Sequence, residues 1–208
     1  MKLHTIKTYN KGLPVNLQKV IAALMIIILS PVFLLTTLLI RIETKGAAFY
    51  TQIRVGERGR RFRIYKFRSM YLADDPKYVD ISSIESDRDG ICRKLFRDPR
   101  VTFIGRVLRK YSIDELPQLF NVLKGDMVLV GPRPALSDET DHYDYKSMRR
   151  LNTQPGLTGL WQVSGRADTT FEEQVDLDIR YIKEKSFWFD LKILFETIPV
   201  VIFGKGAY

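Results

Sequence analysis

An uncharged run of apolar residues extends from Val20 to Ile40. It contains about 21 residues, and a helix needs about 20 to cross the hydrocarbon of a bilayer. The run is apolar on every side, which disfavours the core helix of a soluble protein. It is also longer than the apolar part of a signal peptide, and no small-x-small cleavage site precedes Arg41. The pattern therefore predicts a membrane segment.

Ser30 and Pro31 interrupt this run near its middle. Proline removes a backbone donor and kinks a helix, and the Ser30 hydroxyl is a candidate partner for the carbonyl that is freed. Both flanks are basic, with Lys2, Lys7, Lys11 and Lys19 before the run and Arg41, Lys45, Arg54, Arg58, Arg60, Arg61 and Arg63 after it. Lys and Arg favour the cytoplasmic side of a membrane. A re-entrant helix that returns to this side is favoured over a straight span, which stays the alternative.

The pattern changes to short strands after Glu43. Residues 47–55 and 61–70 read as the two strands of a β-hairpin around the turn Gly56–Gly59. Phe62 and Ile64 alternate with polar neighbours and share one face of the second strand. Residues 73–91 are polar and acidic and read as a loop.

The rest of the chain alternates between helical patterns and turns. The predicted elements are helices over 103–109, 117–123, 138–151, 171–184 and 186–203, a buried strand over 127–130 and a glycine-rich loop over 155–166. The last helix is amphipathic, with Phe187, Trp188, Leu191, Leu194, Phe195, Ile198 and Ile202 largely on one side. That face suits either the core or a membrane interface.

Composition limits the classes of partner that this chain is expected to bind. The 208 residues carry a formal charge of +9, with a pI near 9.6, which indicates nucleic acid, acidic lipid or a phosphorylated substrate. No aromatic RNA motif or recognition-helix pattern is present, so nucleic acid is disfavoured. The single Cys92 excludes an intrachain disulfide. With only His4 and His142 beside it, zinc is disfavoured, and Mg²⁺ is the expected kind of metal.

Asp114 and Glu115 are adjacent acids in a chain rich in Arg and Lys. A carboxylate can attack a phosphoryl group to form an acyl-phosphate, while its neighbour moves protons or holds a divalent ion. The segment Ser112–Glu115 is equally typical of a capping box, in which Ser is the N-cap and Glu lies three residues later. Taken alone, the pair allows both interpretations.

Basic residues recur where the backbone is predicted to turn. Fixed Arg and Lys at such places are typical of phosphate binding, although a single surface Arg is more often solvated. The candidates are Lys66, Arg68, Arg109, Arg133 and Arg166. Neither a GxxxxGK[ST] loop nor a GxGxxG loop is present, so a standard nucleotide fold is not predicted.

Several separate segments together resemble one family. They are Phe49–Gly56, Tyr65–Met70, Asp98–Val101, Ser112–Met127, Val130–Pro134 and Pro155–Arg166. In order and spacing they are similar to the bacterial sugar transferases, the monotopic phosphoglycosyl transferases, over residues 17–208. The similarity includes the catalytic part of the undecaprenyl-phosphate galactose phosphotransferases.

The resemblance implies an activity. Such enzymes move a sugar-1-phosphate from a UDP-sugar to a polyprenyl phosphate, typically undecaprenyl phosphate, and release UMP at the start of glycoconjugate assembly. Asp114 would be the nucleophile, and Glu115 would assist as acid/base and hold Mg²⁺ with Asp114. Phosphate binding would fall to Lys66, Arg68, Arg109 and Arg133, with Arg133 nearest the polyprenyl phosphate, and nucleotide binding to Arg166.

The resemblance also implies a location and a fold. The expected fold is mixed α/β and helix-rich: residues 1–43 form an N-terminal segment and a re-entrant membrane helix broken at Ser30 and Pro31. Residues 44–208 form a small cytoplasmic catalytic domain with a β-hairpin and interfacial helices. The protein would lie on the cytoplasmic face of the bacterial inner membrane, on anionic lipid, with no nucleic-acid partner and with a homodimer allowed.

Two features depart from the family pattern. Members usually carry Phe-Asp early in the membrane helix, where this chain has Val20 and Ile21. The larger subclass usually has N-terminal transmembrane helices that this sequence does not include. A catalytically idle scaffold that binds anionic or polyprenyl-phosphate lipid is the rival, but it would not need Asp114 and Glu115 beside Arg109.

Overall fold

The computed structural model describes residues 12–82, 84, 95, 97–165 and 169–204. The basic N-terminal residues Lys2, Lys7 and Lys11, and Cys92, lie outside this part. The helices are α1 (Val15–Ile28), α2 (Ser30–Glu43), α3 (Phe103–Lys110), α4 (Leu119–Lys124), α5 (Ser137–Thr140), α6 (Tyr145–Met148), α7 (Leu160–Ser164), α8 (Phe171–Glu184) and α9 (Phe187–Phe203). The strands are β1 (Phe49–Val55), β2 (Arg61–Phe67), β3 (Val128–Val130), β4 (Ala135–Leu136) and β5 (Gly156–Thr158). The chain is thus mixed α/β and helix-rich, as predicted.

The apolar run forms two helices that meet at the predicted break. Helices α1 and α2 are bent by 59° relative to each other. Pro31 cannot donate to the carbonyl of Ile27, and the Ser30 hydroxyl donates to that oxygen at 2.8 Å. The predicted role of Ser30 in satisfying the freed carbonyl is confirmed.

The helix pair has the composition of a membrane segment. Among the described residues no single helix is long and apolar enough to cross a bilayer, whereas α1 and α2 pass that test together. Their outer surface exposes large apolar side chains, among them Val20, Leu24, Ile27, Ile28, Leu34, Leu35, Leu38 and Ile42. A broken span and a re-entrant loop both fit this arrangement.

The predicted β-hairpin is present. Strands β1 and β2 pair antiparallel from Phe49 opposite Phe67 to Val55 opposite Arg61. Phe62 and Ile64 are buried on one face, as the alternation predicts. Strand β4 joins the other edge of β1, with Arg54 opposite Leu136. This pairing brings the segment after β3 against the hairpin.

The glycine-rich segment is more ordered than predicted. The prediction of a loop over 155–166 is wrong, since β5 pairs in parallel with β3 and α7 follows it. A Cβ on Gly156 would lie 2.1 Å from the backbone nitrogen of Gly131, so only glycine permits this close approach of two backbones. A non-local backbone contact therefore determines the structure here.

The prediction of one helix over 138–151 is also wrong. The segment forms α5, α6 and a 3₁₀ turn over Arg149–Asn152. The Asp144 side chain accepts a hydrogen bond from the backbone nitrogen of Ser147 at 2.7 Å and so starts a new helix. A capping residue inside the polar pattern divides it.

The main core lies where α1, the hairpin, β3 and the last two helices meet. Its fully buried members include Ala22, Leu119, Val130, Ile182 and Ile193. Helix α9 buries Asp190 and Ile193 and half-buries Leu191 and Leu194, while Trp188, Phe195, Ile198 and Ile202 are exposed. The side of α9 predicted to be apolar is thus shared between core and surface.

Candidate active site

Asp114 lies in a 3₁₀ turn, Ile113–Gln118, that directly follows α3. Ser112 before it adopts the left-handed conformation, with φ of 54°, and its side chain makes no capping hydrogen bond. The capping-box interpretation is therefore wrong. A non-glycine residue in this region is strained by about 1–2 kcal/mol, and here it turns the chain so that Asp114 faces inward.

The carboxyl group of Asp114 is buried and has a raised pKa. Only 8% of the residue is exposed. Burial raises the pKa of Asp114 to about 6; the Lys66 and Arg109 charges oppose the rise, whereas Glu115 adds to it. The group therefore ionises just below neutral pH, as a nucleophile or a proton carrier requires.

Glu115 is held by Lys66. The Lys66 ammonium donates to Glu115 Oε1 at 2.6 Å, and both side chains are largely shielded from solvent. Lys66 lies on β2 opposite Tyr50, so the hairpin delivers this cation to the acidic pair. The two residues that the sequence separates by 49 positions form one ion pair.

Arg109 and Arg68 differ in how far the described residues already engage them. Arg109, in the last turn of α3, has a buried Nη1 that no described residue accepts from. Arg68 instead donates to the carbonyls of Lys45 and Thr44 at 2.6 and 3.1 Å and to Thr44 Oγ1 at 2.7 Å. Arg109 is thus available to a ligand, while Arg68 is partly committed to the chain after α2.

Arg133 belongs to the rigid turn Gly131–Pro134 between β3 and β4. Its guanidinium lies 5.9 Å from the ring centroid of Trp161, which is a cation–π contact. Its positive charge also lowers the pKa of Arg54 after the larger effect of burial. The turn, in which Arg133 lies between two prolines, restricts where this cation can lie.

One cleft of about 640 Å³ unites the predicted residues. Asp114, Glu115, Lys66, Arg68, Arg109 and Arg133 all line it. Arg166 lies outside the described residues. The cleft combines a buried carboxylate with several cations, and this combination can bind phosphate groups and present a nucleophile to them.

Comparison with known proteins decides the family. The family model described as "bacterial sugar transferase" matches residues 12–204. The chain belongs to this family. The resemblance stated from the separate sequence segments is confirmed.

Three relatives of this sugar transferase illustrate the range of the family. The exopolysaccharide production protein ExoY of Rhizobium meliloti is 42% identical and is matched over 90% of this chain and 84% of its own length. The UDP-glucose:undecaprenyl-phosphate glucose-1-phosphate transferase of Caulobacter vibrioides is 41% identical over 92% of this chain and 70% of its own. The undecaprenyl-phosphate galactose phosphotransferase of Salmonella typhimurium is 49% identical over 78% of this chain, but only 35% of its own length is spanned.

The sequence reasoning missed several polar residues of the sugar transferase cleft. Arg54 lines it and is only 6% exposed. Arg150 also lines it and pairs with Asp178 at 2.8 Å, with both side chains almost fully buried. Burial raises the pKa of Asp178 to about 6 against the opposing effect of Arg150. These residues resemble solvated charges in the sequence, and only the spacing of Asp178 between apolar neighbours on α8 gave an indication.

The acidic residues of the cleft bear on the expected magnesium site. Among the residues that the structure describes, no three acidic, histidine or cysteine side chains cluster as ligands. Mg²⁺ is often bound by one or two carboxylates together with waters and substrate phosphates. Asp114 and Glu115 fit such a site, which depends on the substrate for its remaining ligands.

Proposed function

We propose that this sugar transferase moves a sugar-1-phosphate from a UDP-sugar to a polyprenyl phosphate such as undecaprenyl phosphate, and releases UMP. The observation that carries the proposal is the buried Asp114, which lies with Lys66 and Arg109 in one cleft. The printed names of the relatives in Caulobacter and Salmonella describe the same class of reaction. The reaction would be the first membrane step in making an exopolysaccharide, a capsule or a related glycan.

The first half-reaction uses Asp114 as nucleophile. Its carboxylate oxygen attacks the phosphorus that bears the sugar, the bond from that phosphorus to the bridging oxygen breaks, and UMP leaves with the electron pair. The product on the enzyme is an acyl-phosphate of Asp114 that carries the sugar. Because the pKa of Asp114 is about 6, the attacking form predominates at neutral pH.

The second half-reaction regenerates Asp114. A phosphate oxygen of the polyprenyl phosphate attacks the same phosphorus, the acyl-phosphate bond breaks, and the carboxylate departs. Glu115 would manage protons, and the ammonium of Lys66, 2.6 Å from Glu115, could shift toward the phosphate oxygens. Arg109 and Arg133 would offset the charge that develops on the transferred group.

We further propose that Asp114 and Glu115 hold Mg²⁺ together with substrate phosphates. The ion would supply additional positive charge at the diphosphate. Lys66 would then exchange its contact with Glu115 for one with the substrate. Comparison of activity in Mg²⁺ with activity in excess EDTA tests this part of the proposal.

We propose a monotopic location on the cytoplasmic face of the inner membrane. Support comes from the bend of 59° between α1 and α2 and from their exposed apolar surface. The exposed Trp188 and Phe195 of α9 would add an interfacial contact. In a Cys92→Ser background, single cysteines introduced at either end of the helix pair and labelled in intact spheroplasts would show whether both ends lie on one side.

One experiment tests the chemistry directly. Protein in nanodiscs is incubated with a panel of UDP-sugars and Mg²⁺, without lipid acceptor, and UMP and the intact mass of the protein are measured. We expect a stoichiometric burst of UMP and a mass increase of one phospho-sugar, both lost in Asp114→Asn and kept in the exposed control Asp141→Asn. A UMP burst that persists in Asp114→Asn would remove Asp114 as nucleophile. Lipid binding without UMP release from any donor would favour the idle scaffold.

A further inference from the structure

Arg54 is a buried cation for which the described residues supply no close counter-charge. It is 6% exposed, and no carboxylate among the described residues lies within ion-pair distance of it. Burial and then the neighbouring Arg133 lower the pKa of Arg54 to about 10. A charged group buried in this way is costly unless an opposite charge joins it.

Strand pairing and hydrogen bonds hold the Arg54 side chain in place. It lies on β1 opposite Leu136 of β4, which places it beside the turn that carries Arg133. Its Nη1 donates to the carbonyl of Pro134 at 3.3 Å, and its Nη2 donates to Gln52 Oε1 at 2.9 Å. A guanidinium has five N–H groups, so these two contacts orient the fork and leave other donors for a ligand.

The buried Arg150 provides a contrast within the same cleft. Burial acts to lower the pKa of Arg150, but the Asp178 carboxylate at 2.8 Å outweighs it. Within the part of the chain that the structure describes, one buried arginine of the cleft thus has a carboxylate partner and the other has none at close range. Glu139 and Glu115 raise the pKa of Arg54, but they only partly offset the effects of burial and Arg133.

We infer that Arg54 and Arg133 together form a phosphate subsite that adds to the cations around Asp114, and that Arg54 is a substrate-binding residue of the transferase. The ligand is a phosphoryl group of one of the two substrates. The identity of that substrate rests on the proposed function, because both the diphosphate of the UDP-sugar and the headgroup of the polyprenyl phosphate offer this chemistry.

The test uses neutral and charged replacements of Arg54. Arg54→Gln removes the charge but keeps an amide donor for the Pro134 carbonyl, and Arg54→Lys keeps the charge without the fork. The matched control is Arg61→Met, on the exposed side of the same hairpin. Binding of UDP to nanodiscs without lipid acceptor is measured by calorimetry, and the KM for undecaprenyl phosphate is measured in turnover.

The two arms separate the sources of the phosphate. If the subsite holds the UDP-sugar, Arg54→Gln weakens UDP binding about tenfold or more, because a charge-assisted contact is lost. If it holds the lipid headgroup, UDP binding is unchanged and the KM for undecaprenyl phosphate rises by a similar factor. Arg54→Lys is expected to fall between wild type and Arg54→Gln, and Arg61→Met to match wild type.

The inference would be overturned if Arg54→Gln folds and keeps its affinity for UDP and its KM for undecaprenyl phosphate within about twofold of wild type. It would also be overturned if Arg61→Met lost as much as Arg54→Gln. If Arg54→Gln does not fold, Arg54→Lys provides the test. Loss of the guanidinium fork should weaken UDP binding or raise the KM for undecaprenyl phosphate about threefold or more only when Arg54 binds a phosphate. The UDP arm needs no turnover. A wild-type protein that binds UDP through Arg54 but releases no UMP would therefore overturn the proposed function and leave the subsite intact.

Discussion

Replacement of Asp114 by Asn should stabilise the protein while it abolishes transfer. The pKa of Asp114 is about 6, against an ordinary value of 3.8. Each pH unit of such a difference corresponds to about 1.4 kcal/mol, so folding disfavours the ionised carboxylate by about 3 kcal/mol. Asn has nearly the same shape and carries no charge, and the penalty therefore disappears.

The pH dependence has a definite sign. Between pH 3.8 and about 6 the folded protein binds the Asp114 proton and the unfolded chain does not. Stability therefore falls as pH rises through this window, and the full penalty applies above it. The advantage of Asp114→Asn should be largest at pH 7.5 and should shrink toward pH 4.

Asp178 is the matched contrast, because its pKa is also about 6. Its carboxylate lies 2.8 Å from the buried Arg150, whereas no described cation lies within ion-pair distance of Asp114. Asp178→Asn leaves Arg150 as an uncompensated buried charge, which costs about 3–5 kcal/mol. The raised pKa of Arg150 indicates that its charge is favoured only beside this carboxylate. Loss of the pair therefore outweighs the relief of neutralising Asp178, and the two variants should respond in opposite directions.

Thermal unfolding in nanodiscs, followed by intrinsic fluorescence, measures both variants. For a chain of this size about 3 kcal/mol corresponds to roughly 6–12 °C. We expect Tm to rise by that order in Asp114→Asn at pH 7.5, to fall in Asp178→Asn, and to change little in the exposed control Asp141→Asn. A folded Asp114→Asn whose Tm is at or below wild type at pH 7.5, or whose advantage does not depend on pH, would refute the electrostatic reasoning.

Three further predictions concern the site, its support and the membrane contact. The rate of UMP release should fall with decreasing pH below about 6, and Lys66→Met should move this inflection to higher pH, because the Lys66 charge lowers the pKa of Asp114; a pH–rate profile checks it. Gly105→Ala should lower the free energy of unfolding by about 3 kcal/mol or more, since its Cβ would lie 2.0 Å from the Ser69 carbonyl oxygen. Gly59→Ala meets nothing within 4 Å and should cost only about 1 kcal/mol, because of its positive φ. Urea unfolding of the two variants compares these losses. Trp188→Ser should reduce retention on anionic liposomes in a flotation assay, because that exposed side chain is expected to enter the interface.

Local pattern accounts for the elements that the sequence predicts correctly. The hairpin follows from alternation around Gly56–Gly59, and the helix break follows from Ser30 and Pro31, with α8 and α9 predicted from their helical periodicity. Each of these signals lies within a few residues of the structure that it determines. The failures at 138–151 and 155–166 have a different origin, because a cap at Asp144 and the contact of Gly156 with Gly131 decide those segments.

The candidate site was likewise predictable where its residues form a local sequence pattern, and not where long-range contacts place them. Adjacent acids and turn-associated cations stand out in the sequence, and six of those residues line one cleft. Arg54 does not stand out, because its burial depends on β4 and on the Pro134 carbonyl, which lies 80 positions away. Arg68 lines the cleft as well, and it also donates hydrogen bonds to Thr44 and Lys45, a structural contact that the motif does not reveal.

The hydrogen bonds of the helix pair explain why the site lies where it does. At the end of α2, Glu43 accepts from the backbone nitrogens of Phe103 and Ile104 at 2.6 and 3.1 Å and so caps α3, the helix that carries Arg109. In α1, Gln18 accepts from the Leu129 nitrogen at 2.6 Å, one residue before the end of the strand that leads to Arg133.

Both ends of the apolar pair are therefore bonded to elements that carry the cations proposed to bind phosphate, and Arg68 adds a third connection through Thr44. A membrane anchor that only tethered the domain would need a flexible linker and no such contacts. Rigid connections at both ends fix the height of Asp114 relative to the apolar surface of α1 and α2. The proposed nucleophile would in this way be held at a fixed depth relative to the phosphate of its lipid acceptor.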